Sequence, residues 1–207
     1  MTIAVRPPAE VLVTFTGQSM NITPIAPLDV PLMTMARLGL TTWRNIAIGG
    51  NGWGDLLANS THLTNLRAGA RNLPGGTDIL VMNGGQDDFF EGNSGATSYA
   101  RAETYAALAR SYGYDYVIGV TLPAFGPGPL YGITQAMVDA KDANNALMVA
   151  DDPYPSGPFD ALADGATLSD PNDVRYFFLD DLHLRVRGGQ VLAQQIAGAA
   201  LTLPPFA

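Results

Sequence analysis

The sequence predicts a layered α/β domain built on a parallel sheet, and three observations carry that reading. Short apolar runs alternate along the chain with segments of helical period, and strands that alternate with helices pair in parallel. The runs are close to continuous, as in strands covered on both faces. The first three runs each stop at a glycine turn carrying a small polar side chain, which is where ligands of such sheets bind.

The elements follow in order. Val11–Thr16 reads as the first strand, ending at Gly17. Asn45–Ile48 reads as the second, stopped by Gly49 and Gly50, and Asp78–Met82 as the third, stopped by Gly84 and Gly85. Tyr116–Leu122 reads as the fourth, stopped by Pro123, and Ala146–Ala150 as a short fifth. Tyr105, Leu108, Ala109 and Tyr112 are spaced i, i+3, i+4, i+7, as are Ile133, Ala136, Met137 and Ala140; this is the spacing of one helix face. Over Gly189–Leu201, Val191, Leu192, Ile196 and Ala199 mark a terminal helix. Proline and glycine cluster at 123–129 and 153–158, between the periodic segments, and read as shaped surface loops. The 207 residues contain no repeat, low-complexity tract or linker, so one domain over 1–207 is expected. That length suffices to bury a sizeable core.

Composition narrows the chemistry before any motif is read. There is no cysteine, so no disulfide, thiolate metal site or cysteine nucleophile. Lys141 is the only lysine, and Ala140 precedes it where a P-loop needs glycine. A histidine base must be His62 or His183. The net charge of −8, without a basic cluster, argues against a nucleic-acid surface and a polybasic membrane anchor. No stretch approaches the ~20 apolar residues of a spanning helix. Arg6, Pro7, Pro8 and Glu10 interrupt the N-terminal apolar residues. The expectation is therefore no cleaved signal peptide and a cytoplasmic location by default, although the chain could equally be one domain of a larger or exported protein. Oligomeric state is not legible.

Ser19 follows the first strand within Thr16-Gly17-Gln18-Ser19. Taken alone it reads as a serine capping the next helix. His183 lies between the last apolar run, Tyr176–Leu179, and the terminal helix, with Asp180 three residues before it. A carboxylate there can accept the Nδ1–H and leave Nε2 as a base; the plainer reading is a surface histidine among solvated acids. His62, within Asn59-Ser60-Thr61-His62-Leu63-Thr64, reads as a surface or capping residue.

The set as a whole resembles the four sequence blocks of the SGNH (GDSL-type) hydrolases. The blocks are Gly17-Gln18-Ser19, the glycine of Asn45-Ile46-Ala47-Ile48-Gly49-Gly50, then Gly84-Gly85-Gln86-Asp87, and finally Asp180-Asp181-Leu182-His183. They span nearly the whole chain in the family's order. The resemblance implies a three-layer α/β/α, flavodoxin-like sandwich with a five-stranded parallel sheet. It implies Ser19 as nucleophile, His183 as general base and Asp180 as its orienting acid. It also implies an oxyanion hole from the Ser19 and Gly50 backbone N–H groups and the Gln86 side chain. Two positions depart from the family pattern. Gln18 stands where the family has aspartate, which is similar to some carbohydrate acetylesterases. Gln86 stands where it has asparagine, adding a methylene that displaces the amide donor; Asn83 and Asn51 are nearby substitutes.

Weaker features accompany these. Asp87-Asp88, Asp151-Asp152 and Asp180-Asp181 are carboxylate pairs with the composition of a Mg²⁺ or Ca²⁺ site, but the first two pairs read more simply as solvated or capping acids. Gly50–Gly54 lacks dinucleotide-loop spacing. Trp53, Phe89 and Phe90 follow strand ends and could line a sugar or acyl site or pack inward; Tyr131 and Tyr154 flank the proline-rich loops with the same two options. Of these, Trp53, Phe89 and Tyr131 are the expected substrate contacts. The resulting expectation is a serine esterase without metal or cofactor, acting on a short acyl ester, an acetyl ester of a carbohydrate in particular. The absence of Gly-x-Ser-x-Gly excludes the α/β-hydrolase elbow. The alternatives are an acyltransferase, thioesterase or lipase-type esterase on the same triad, and a non-catalytic carbohydrate-binding or structural module.

Overall fold

The computed structural model describes residues 10–17, 30–127, 131–178 and 182–207. Five parallel strands form one sheet in the order β2-β1-β3-β4-β5. They are β1 (Val11–Gly17), β2 (Trp43–Asn45), β3 (Thr77–Asn83), β4 (Tyr116–Val120) and β5 (Ala161–Ala163). The helices are α1 (Val30–Leu38), α2 (Trp53–Ala58), α3 (Ser60–Gly69), α4 (Gln86–Phe90), α5 (Gly95–Tyr112), α6 (Gln135–Ala150) and α7 (Val186–Ala200). This is the strand order of flavodoxin-like sheets, whose direction of growth reverses between β1 and β3.

Period-two alternation sorts the strand residues between two cores. Ile79 and Val81 of β3, with Val13, Phe15 and Ile118, pack among α1 and α7 residues such as Met35, Leu192 and Ile196. Leu80 and Met82, with Val117, pack among Trp53 and Leu56 of α2, Leu66 of α3 and Tyr105 of α5. Both faces of the sheet are therefore covered, as the continuous apolar runs require.

Two elements differ from the sequence reading. The second strand is Trp43–Asn45 rather than Asn45–Ile48. Its pairing nonetheless runs on, because Ile46 N–H donates to Phe15 O and Ile48 N–H to Gly17 O, both at 2.9 Å. Ala146–Ala150 is not a strand but the last turn of α6. Thr134 caps that helix by accepting from Met137 N–H, and within the run Met148 faces the core while Leu147 and Val149 face solvent. The fifth strand is Ala161–Ala163, paired to β4 through Ile118 and Val120.

Among the described residues no helix is long and apolar enough to cross a membrane.

Candidate active site

The carboxyl ends of β1 and β3 meet at two glycines. Gly17 has φ +119, and a Cβ on it would lie 1.9 Å from Asn83 O. A Cβ on Gly84 would lie 2.9 Å from the Gly17 Cα and 3.0 Å from the Trp53 ring. Any side chain at either position would push the strand ends apart, so only glycine lets the turns after them begin side by side.

The turn after β2 is drawn to the same place by Asp88. This carboxylate, fully buried in α4, accepts from Trp53 N–H at 3.0 Å, Gly54 N–H at 3.4 Å and Ser98 Oγ at 3.0 Å. Arg101 Nη1 pairs with it at 2.6 Å. Asp88 thus satisfies the N-terminus of α2 from another helix and ties residues 50–54 to residues 85–88. Sequence reading placed this aspartate among capping acids without identifying what it caps. Gly50, upstream of the tie, is exposed with φ +72, and nothing lies within 4 Å of where its Cβ would be. Its backbone can be approached closely. Gln86 is buried in the first turn of α4, behind Gly85 at φ +97.

His183 is presented by a short antiparallel bridge. Phe177 and Leu184 pair, Phe178 N–H donates to His183 O at 2.9 Å, and Arg185 N–H donates to Tyr176 O at 2.7 Å. Leu182 and Leu184 are buried on either side of it. The backbone is held while the imidazole stays half-buried. Tyr131 meets that imidazole edge to face, ring centroids 5.9 Å apart, and is itself 48% exposed. Asp87 also lies within electrostatic reach of His183. Burial, and then the Asp88 and Asp55 carboxylates, push the Asp87 carboxyl up to about 6; the neighbouring His183 pulls the other way. Asp87 is a functional candidate that sequence reading passed over. The only signal for it was its place in the third block.

Ser19, with Gln18, and Asp180, with Asp181, lie outside the described residues, and so does Leu179 of the last apolar run. The described site residues, Gly50, Gln86, Tyr131 and His183, lie after the carboxyl ends of the strands or on the loop leading to α7. Trp53 and Phe89 do not belong with them. Trp53 is 3% exposed and packs on the Tyr105 ring at 5.1 Å, and Phe89 is 1% exposed against Phe125. Each follows a strand end, but the helix it begins or continues turns it back to the core. Phe90 also packs on Phe125, at 6.3 Å. Tyr154 stacks 3.8 Å from the Arg110 guanidinium, which pairs with Asp160 beside the start of β4, at the far end of the sheet.

His62 also differs from its reading as a surface or capping residue. It is 1% exposed, with Nε2 2.6 Å from the Tyr105 hydroxyl and 3.3 Å from Thr16 Oγ1. The Tyr105 hydroxyl lies 2.9 Å from Thr16 Oγ1 in turn. Burial lowers the His62 pKa, holding the ring neutral. It is a bonded core histidine beneath β1.

The fold is that of the SGNH hydrolases. A member of the lipolytic G-D-S-L family from Veillonella parvula superposes with a TM-score of 0.73 at 16% identity, over 93% of this chain and 100% of that one. A GDSL-like lipase from Bacteroides thetaiotaomicron gives 0.66 at 15% identity, over 92% and 88%. The aryl esterase of M. smegmatis gives 0.65 at 13%, over 94% and 100%. No protein-family model matches the sequence, and no curated protein matches it either.

Proposed function

We propose that the protein is a serine esterase that hydrolyses short acyl esters through an acyl-enzyme. The observation that carries the reading is the convergence of His183, Asp87, Gln86 and the Gly50 turn on the carboxyl end of the sheet, beside the strand that leads to Ser19. In this mechanism Ser19 Oγ attacks the ester carbonyl carbon while His183 Nε2 accepts its proton. Asp180 orients the imidazole and stabilises the imidazolium. The carbonyl oxygen takes the electron pair, and the Ser19 and Gly50 N–H groups and the Gln86 amide donate to it. Collapse expels the alcohol, which takes the proton from His183. Water then attacks the acyl-serine by the same steps, releasing the acid.

The acyl group is a short one, acetyl in particular, and the alcohol a carbohydrate. The Gly17-Gln18-Ser19 variant supports this by its similarity to carbohydrate acetylesterases. Tyr131 supports it by presenting an exposed aromatic ring beside His183, a surface on which a sugar can stack. The test is turnover of p-nitrophenyl esters from acetate to decanoate by wild type and Ser19→Ala. Wild type should prefer acetate, and the variant should lose about 10³-fold or more. Equal turnover by the two proteins overturns the reading.

A further inference from the structure

One cavity on the catalytic side of the sheet has no part in this mechanism. It encloses about 310 Å³ beyond the carboxyl ends of β4 and β5, a size that accepts a small ligand. Ala124, Phe125, Pro127 and Val138 supply apolar wall, and Lys141 and Asp142 enter from α6. Lys141 is the chain's only lysine and is 6% exposed. Its ammonium sits 5.7 Å from the centre of the Phe125 ring. The same ring packs on Phe89 and Phe90 of α4, at 6.4 and 6.3 Å. A single aromatic layer therefore separates the lysine from the helix that carries Gln86 and Asp87.

Burying an ammonium is costly unless it is paired and bonded, and lysine has three N–H donors to place. Here one reaches Asp142 Oδ1, at 2.6 Å. That carboxylate is 63% exposed, and an ion pair with so exposed a partner contributes little. Asp142 can turn to water at small cost when another anion arrives. The chain as a whole, at −8, repels anions, so the cavity is a place where this acidic protein presents a desolvated cation beside its site.

We infer that this cavity is an anion subsite: Lys141 receives a carboxylate carried by the ester substrate, and the Phe125 wall covers the atoms between carboxylate and ester. The inference rests on the esterase reading for its substrate and adds an acidic group to it. The carboxylate belongs either to the acyl part or to the alcohol part, for example an acidic sugar.

Two substrate series separate those sources. Monomethyl dicarboxylates of increasing length carry the acid on the acyl side, and acetate esters of hydroxycarboxylic acids carry it on the alcohol side. Each is compared with its neutral methyl ester at matched length. Wild type should favour the acidic member of one series, by kcat/KM, about tenfold or more, the worth of a charge-assisted hydrogen bond. Lys141→Met should abolish that ratio, and Asp142→Asn, at an exposed position, should raise it. A ratio near one in wild type for both series, or one unchanged in Lys141→Met, overturns the subsite. Calorimetric titration with free glutarate is independent of turnover. If no ester is hydrolysed, the esterase reading fails, and the subsite stands only if glutarate saturates wild type and not Lys141→Met.

Discussion

The two ends of the sheet treat their sunken carboxylates differently. At the amino end, Asp78 accepts from Asn72 N–H at 2.8 Å and pairs with Arg71 at 3.3 Å, while Asp160 pairs with Arg110 at 2.8 Å and accepts from Val117 N–H at 2.6 Å. Each has an arginine and a backbone donor, and each pins the start of a strand. At the carboxyl end Asp88 is treated the same way, by Arg101 and two amides. Asp87, one residue before it, is not. Among the described residues no arginine pairs with it, the Asp88 and Asp55 carboxylates repel its charge, and His183 lies within electrostatic reach of it. A fold that answers Asp78, Asp160 and Asp88 and leaves Asp87 in an unfavourable state keeps it for something other than stability.

The comparison breaks most readily at His183. If the carboxyl end is built for chemistry, His183→Ala should cost about 10³-fold or more in turnover of p-nitrophenyl acetate. The melting temperature should move little, because the ring is half-buried and its backbone is held by Leu182 and Leu184. A loss under tenfold removes His183 from the role of base.

Asp88 should behave in the opposite way, as the amino-end carboxylates do. Asp88→Ala leaves the Trp53 and Gly54 amides and the Arg101 guanidinium without their acceptor, at a cost of about 3 kcal/mol or more in stability. Chemical denaturation measures it. Activity should fall as well, because the tie between residues 50–54 and 85–88 is lost. A variant as stable as wild type would show that the α2 terminus finds other partners.

Which parts of this were legible in the sequence follows from how strongly each residue's pattern is constrained. The strands β1, β3 and β4 sit in the middle of a sheet covered on both faces, and nearly continuous apolar runs fit there. The edge strand β5 is three residues, Ala-Leu-Ala, too short to show a period. The run Ala146–Ala150 imitated a strand because the outer face of α6 carries Leu147 and Val149 in the open. His62 was misread from its polar neighbours. Its own face repeats as His62, Leu66, Gly69, at i, i+4, i+7, and that face is the buried one. Trp53 and Phe89 were misread because position after a strand end says where the backbone is and not where the side chain turns. The site blocks were readable only as a resemblance, whereas the tie of Asp88 to the start of α2 and the electrostatic influence of His183 on Asp87 depend on segments far apart in sequence.

The finest test of the comparison is Asp87 itself. Its folded-state carboxyl is held up at about 6, above the ~3.9 of a free aspartate. The folded protein therefore binds this proton more tightly than the unfolded chain does. The ionised form is penalised in full above pH 6, and the penalty fades as pH falls toward 4. Two units correspond to about 3 kcal/mol, and because the group is partly open to water the effective figure is about 1–2 kcal/mol. Asp87→Asn should thus be more stable than wild type by that amount at pH 8 and no more stable at pH 4, as read from denaturant midpoints at both values. An amino-end control, Asp160→Asn, should lose stability at pH 8, since it gives up the charge that Arg110 answers. Equal behaviour of the two variants would mean that the ends of the sheet do not differ and that Asp87, like Asp160, is a carboxylate whose charge stabilises the fold. A gain at pH 8 in Asp87→Asn, together with reduced esterase turnover, would mark the carboxyl end as the place where stability is given up for chemistry.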